Sequence, residues 1–82
     1  MGVEQVPLRD QPDSLGPPQY GRPVHQADEP LPVTAWIHTR SGHQRVEGVA
    51  VAWTAKAVRL RYMDDHGREG YAWVWANAVT RR

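Results

Sequence analysis

Cysteine is absent from this 82-residue chain, so it holds no disulfide, no thiolate metal ligand and no cysteine nucleophile. Phenylalanine is absent as well, and lysine and isoleucine occur once each, as Lys56 and Ile37. No apolar run approaches the roughly 18 residues that a membrane-spanning helix needs. The opening Met1-Gly2-Val3-Glu4-Gln5-Val6 lacks the basic and apolar regions of a secretory signal, and position 6 lacks the hydroxyl that would favour myristoylation. These absences lead to the expectation of a cytoplasmic protein without membrane contact. There is no Gly-rich phosphate loop and no nucleophile elbow. The histidines, His25, His38, His43 and His66, are not spaced as metal ligands, and the adjacent Asp64 and Asp65 read as turn formers. A domain this small also has little room for an enclosed active site. We therefore expect no enzyme, no metal, no cofactor and no small-molecule substrate.

Proline is missing from one part of the chain only. All seven prolines lie at or before Pro32. The first 32 residues hold nine apolar residues with no helix or strand period, and two cations against five anions leave them at −3. Such a stretch buries too little to offset its ordering entropy. Residues 1–32 are thus expected to form a disordered, acidic, proline-rich tail, partly polyproline II. Its Pro17-Pro18-Gln19-Tyr20 has the P-P-x-Y form that WW domains bind, but four residues in a proline-rich stretch coincide easily by chance. Residues 33–82 carry all four tryptophans, and eight cations against four anions give them +4. Nine arginines to one lysine match the bias of GC-rich coding, which suggests a high-GC bacterium.

The second part reads as β. Val33 to Thr39 is β-branched and aromatic, a first strand, and Arg40-Ser41-Gly42-His43 is a turn with Gly where positive φ is needed. Gln44 to Trp53 forms a long second strand with Gly48 in its middle, the place for a bulge or bend. A helix over Gly48 to Ala57 competes, but Val49, Val51 and Thr54 are β-branched and alternate with alanines. Ala57 to Met63 alternates, with Val58, Leu60 and Tyr62 against Arg59 and Arg61. Asp64-Asp65-His66-Gly67 is a hairpin turn, and Glu69 to Trp75 sets Tyr71, Trp73 and Trp75 against Ala72 and Val74. Ala76-Asn77-Ala78 reads as a 3₁₀ turn before a short last strand, Val79 to Arg82.

Five strands with a long, bent second one, a tight third hairpin and a 3₁₀ turn before the fifth resemble the SH3-like barrel superfold, including its Tudor-like members. Trp75-Ala76-Asn77-Ala78-Val79 is similar to the segment in which SH3 domains set Asn and Val around that turn. The resemblance implies an all-β, five-stranded SH3-like barrel over residues 33–82. The first loop lacks the acidic, tyrosine-rich signature of peptide-binding SH3 domains, so the resemblance does not extend to proline-peptide recognition.

Two non-catalytic functions compete. Arg45, Arg59, Arg61, Arg81 and Arg82, with Trp73 or Trp75, would suit nucleic acid, DNA in preference to RNA, since phosphate contact needs clustered cations and bases stack on indoles. Alternatively Trp36, Tyr71, Trp73 and Trp75 would serve protein interaction or homodimerisation. Six large aromatics exceed what so small an interior can bury, and aromatic residues favour interfaces.

Overall fold

Glycines with positive φ reverse the chain where the sequence places its turns. Gly42 (φ 104°) follows Arg40 and Ser41, and Gly67 (φ 74°) ends the turn that begins at Asp64. The computed structural model describes residues 2–82. Its five antiparallel strands are β1 (His25–Thr39), β2 (Gly42–Trp53), β3 (Ala57–Met63), β4 (Glu69–Trp75) and β5 (Val79–Arg81), with a 3₁₀ turn at Ala76–Ala78. β3, β4 and the 3₁₀ turn keep the bounds read from sequence, and the Gly48 to Trp53 stretch is strand rather than helix. The order across the sheet is β4-β3-β2-β1-β5, which leaves β4 and β5 as its edges.

One face of every long strand enters a single core. Val33, Ala35 and Ile37 of β1, Ala50 of β2, Leu60 and Tyr62 of β3, and Ala72 and Val74 of β4 pack as one cluster. β1 and β4 meet across it although β3 and β2 lie between them in the sheet. A single sheet reaches that arrangement by curling on itself, which is compatible with a small barrel.

Two glycines make the curl possible. Gly70 lies opposite Tyr62 in the β3–β4 ladder, and a Cβ on it would stand 2.6–2.7 Å from the Tyr62 ring and hydroxyl. The Tyr62 side chain therefore lies over bare backbone. A Cβ on Gly48 would run into the backbone carbonyl of Arg61. Gly48 stays in register with Val33 on one side and Tyr62 on the other, and the ladder irregularity in β2 lies at Val51 instead, between the pairs Ala50–Leu60 and Ala52–Arg59. The expected bulge at Gly48 is corrected accordingly: what this glycine supplies is close strand approach.

The disordered tail expected for residues 1–32 is not what the structure shows. β1 begins at His25, with His25 and Gln26 paired to Trp53 and Ala52, before a shift of register that brings Leu31 opposite Ala50. Residues 2–24 form a strap across the sheet. Val6 is buried at 4 % exposure, and the backbone bonds Glu69 N–H to Glu4 O (2.7 Å) and Val6 N–H to Glu69 O (2.9 Å) tie it to β4. Asp13 N–H donates to His38 O at 2.7 Å and Leu15 N–H to Trp73 O at 2.9 Å. Pro17–Tyr20 is one helical turn, not polyproline II. Its Tyr20 carbonyl accepts the Thr54 hydroxyl, whose oxygen also receives the N–H groups of Lys56 and Ala57 at 3.1 Å each. Low apolar content hid this docking, because most of it is made by backbone groups.

Two outcomes follow. Gly70→Ala and Gly48→Ala should each cost about 1–3 kcal/mol by overpacking, measured by urea denaturation; a neutral Gly70→Ala would mean that Tyr62 does not lie over that backbone. Removal of residues 2–20 forfeits the buried Val6 and Pro12 and one aromatic stack, together about 2 kcal/mol or more, which corresponds to a Tm lower by roughly 8–16 °C. An unchanged Tm would show a strap that contributes nothing.

Candidate functional site

Alternation in β4 sends Gly70, Ala72 and Val74 inward and Tyr71, Trp73 and Trp75 outward. Tyr71 is 37 % exposed and Trp75 46 %. Trp73 is half-covered because the Tyr20 ring of the strap stacks on it, with centroids 4.1 Å apart and planes 15° from parallel. Trp36, on the outward face of β1, is 54 % exposed.

The curl of the sheet brings three of these residues together. Trp36, Trp73 and Trp75 line one groove of about 490 Å³, and Leu15 and Asp13 of the strap contribute its other wall. Two histidines stand in the same groove. His38 and His43 are cross-strand partners whose rings lie 4.6 Å apart, and the Asp13 carboxylate meets His38 Nδ1 at 2.7 Å. Tyr71 falls outside this groove, in a second hollow of about 420 Å³ shared with Tyr20, Arg59 and Trp73. Trp73 borders both.

The five arginines do not gather. Arg59 lies 4.8 Å over the Tyr71 ring, and Arg61 is opposite Tyr71 in the ladder, so these two share the outward face of β3 and β4. Arg45 is opposite Trp36 in the β1–β2 ladder. Arg81 is in β5, the strand at the other edge of the sheet from β4, and Arg82 follows it. Arg82 is occupied there by the Glu47 carboxylate at 3.5 Å and the Gly48 carbonyl at 3.3 Å. Strap residues Asp13 and Leu15 were not among the sequence candidates; Tyr20 entered only within the P-P-x-Y string, and His38 and His43 only as metal ligands that their spacing disfavoured. Cross-strand register could have paired the histidines, whereas no local pattern marks the strap.

No family model, no curated protein and no solved structure matches this chain. Among the described residues no helix is long and apolar enough to cross a membrane, and no group of three or more His, Asp or Glu is placed to hold a metal ion.

The Asp64 turn carries a tight electrostatic cluster at a hollow separate from the tryptophan groove and the Tyr71 hollow. Asp64 Oδ1 accepts the N–H groups of His66 (2.9 Å) and Arg68 (2.8 Å), and Arg68 Nε donates to Asp64 Oδ2 at 2.6 Å. Arg68 also reaches Asp10 of the strap at 3.4 Å. Burial works against the Asp64 carboxylate, but the hydrogen bonds from Arg68 and His66 outweigh it and hold its carboxyl below the usual range. Burial, reinforced by the Asp64 charge, pushes the Tyr62 phenol up.

A carboxyl whose folded-state value lies below its unfolded one stabilises the fold above the unfolded value, about 4, and loses that contribution as pH falls through the lower folded value. Tm should therefore fall as the pH drops below about 4, and Asp64→Asn should lower Tm at neutral pH while flattening the acid decline. An Asp64→Asn variant with the wild-type acid profile would show that the turn contributes nothing to it.

Proposed function

We propose that this chain is a non-catalytic binding module built on an SH3-like barrel, and that it engages a protein partner through the groove between Trp36, Trp75 and the strap. The observation that carries this reading is the convergence of Trp36 and Trp75 from β1 and β4 on one groove, each about half exposed. Half-exposed indoles lining one groove present a large apolar contact area with few rotatable bonds, the chemistry that dominates protein interfaces. The fitting partner inserts an apolar side chain between the two indoles and meets the polar rim formed by Asp13, His38 and His43.

A second reading, nucleic-acid binding, is favoured by one observation: Arg59 lies over Tyr71 with Arg61 beside it. Two cations next to an exposed aromatic ring suit a stacked base and its phosphate. It ranks second because the other three expected arginines lie elsewhere on the sheet, and clustering is what phosphate affinity requires.

Affinity isolation from the host, with and without nuclease, separates the two. The expected result is a protein partner retained after nuclease and at high salt, with Trp36→Ala plus Trp75→Ala weakening it by about 30-fold or more. Arg59→Ala plus Arg61→Ala should leave that interaction intact. A nuclease-sensitive interaction that falls steeply with salt and needs Arg59 and Arg61 would replace the first reading with the second.

A further inference from the structure

The two edges of the sheet differ. β5 is three residues long, while β4 has seven and carries an aromatic row. A long edge strand is a template for another strand unless something covers it. The N–H and C=O groups of Glu69 and Trp73 point away from β3, since both bond to the strap: Glu69 to Glu4 and Val6, and Trp73 to the Leu15 N–H and, at 2.8 Å, the Ser14 hydroxyl. Peptide groups alternate along a strand, so Tyr71, midway between, faces the same way. Among the described residues nothing meets its outward N–H and C=O. The strap grips β4 at two points and bows away between them through the 3₁₀ turn Leu8–Asp10.

We propose that the strap is a removable guard on β4, and that its release lets β4 pair edge to edge, antiparallel about Tyr71, with β4 of a second copy of this chain. The outward residues suit self-pairing. With Tyr71 opposite its counterpart on the two-fold axis, Glu69 of each copy faces Trp73 of the other, and Arg59 stands next to that Trp73 in the ladder. An acidic residue thus meets an aromatic and basic pair twice over, while Tyr71 and Trp73 of both copies form one continuous outer row. Release is accessible because the anchors are discrete and local: the buried Val6 and Pro12, the Tyr20–Trp73 stack, the Asp10–Arg68 and Asp13–His38 contacts, and hydrogen bonds at Glu69, Trp73, His38 and Thr54. The exposed link Arg22–Val24 lets the strap swing without disturbing β1. The proposal does not rest on which partner fills the tryptophan groove, although release removes the Asp13–Leu15 wall of that groove.

The test uses the full chain. Val6→Asp with Tyr20→Ala should speed amide hydrogen exchange at Glu69 and Trp73 by about tenfold or more and double the mass seen by light scattering. Tyr71→Pro added to that background should restore the monomer, because the proline removes an N–H that points away from β3 and leaves the β3–β4 ladder whole. A released strap with an unchanged mass overturns the proposal, and so does a dimer that survives Tyr71→Pro. Should the double substitution unfold the chain, Tyr71→Cys alone decides. The chain has no other cysteine, and the self-pairing residues of such a ladder lie about 5.5 Å apart at Cα, within disulfide reach. Under mild oxidant Tyr71→Cys should cross-link several-fold faster than Thr80→Cys at the other edge, and equal rates overturn the proposal.

Discussion

The contact between the Tyr62 ring and the bare backbone of Gly70 sets the terms for the rest of the molecule. Tyr62 and Leu60 fill the interior from β3, and they can do so because β4 offers them Gly70, Ala72 and Val74 rather than larger residues. Protein interiors are close-packed, and these side chains bury together in one cluster. Strict alternation then leaves Tyr71, Trp73 and Trp75 no place but outside. The aromatic outer face is thus the other half of a small-residue inner face, and the function proposed for the chain grows from a packing constraint.

An outward aromatic row on an edge strand would be a hazard for a chain without some cover. The strap supplies it by a route that needs little hydrophobic content. Backbone groups of Glu4, Val6 and Leu15 complete those of Glu69 and Trp73, Tyr20 shields one face of Trp73, and Thr54 holds the end of the strap to the turn between β2 and β3. Trp36 and Trp75 stay open. The strap thereby becomes a wall of the groove as well as a cover, and it links the stability of the fold to the shape of the candidate surface.

Charge and aromaticity, which competed when only the sequence was considered, part company in three dimensions. The arginines disperse over the outer face of β3, the β1–β2 hairpin and the β5 edge, and Arg68 and Arg82 are engaged by carboxylates. Trp36, Trp73 and Trp75 converge on one groove. A net positive charge spread in this way adds little local potential, while two half-exposed indoles on one groove concentrate contact area at one place. That contrast favours a protein partner over a polyanion.

The bounds of β3 and β4, the two hairpin turns, the 3₁₀ turn and the inward set of β3 were legible in the sequence because each rests on a local rule: a period of two, a glycine able to take positive φ, an aspartate that binds its own turn. The outward direction of the β4 aromatics was half legible, since alternation splits the strand into two faces without saying which is buried; only the size of Tyr62 across the ladder decided that. The course of residues 2–32 was not legible. Their composition matches a disordered segment, and the groups that hold them, at Glu69, Trp73, Thr54 and His38, lie far along the chain. The grouping of Trp36 with Trp75, and the separation of Arg59 and Arg61 from Arg81 and Arg82, likewise arose only when the sheet curled. Local chemistry determines which residues form strands and turns, but which surfaces meet depends on long-range register and curvature, which exist only in the folded chain.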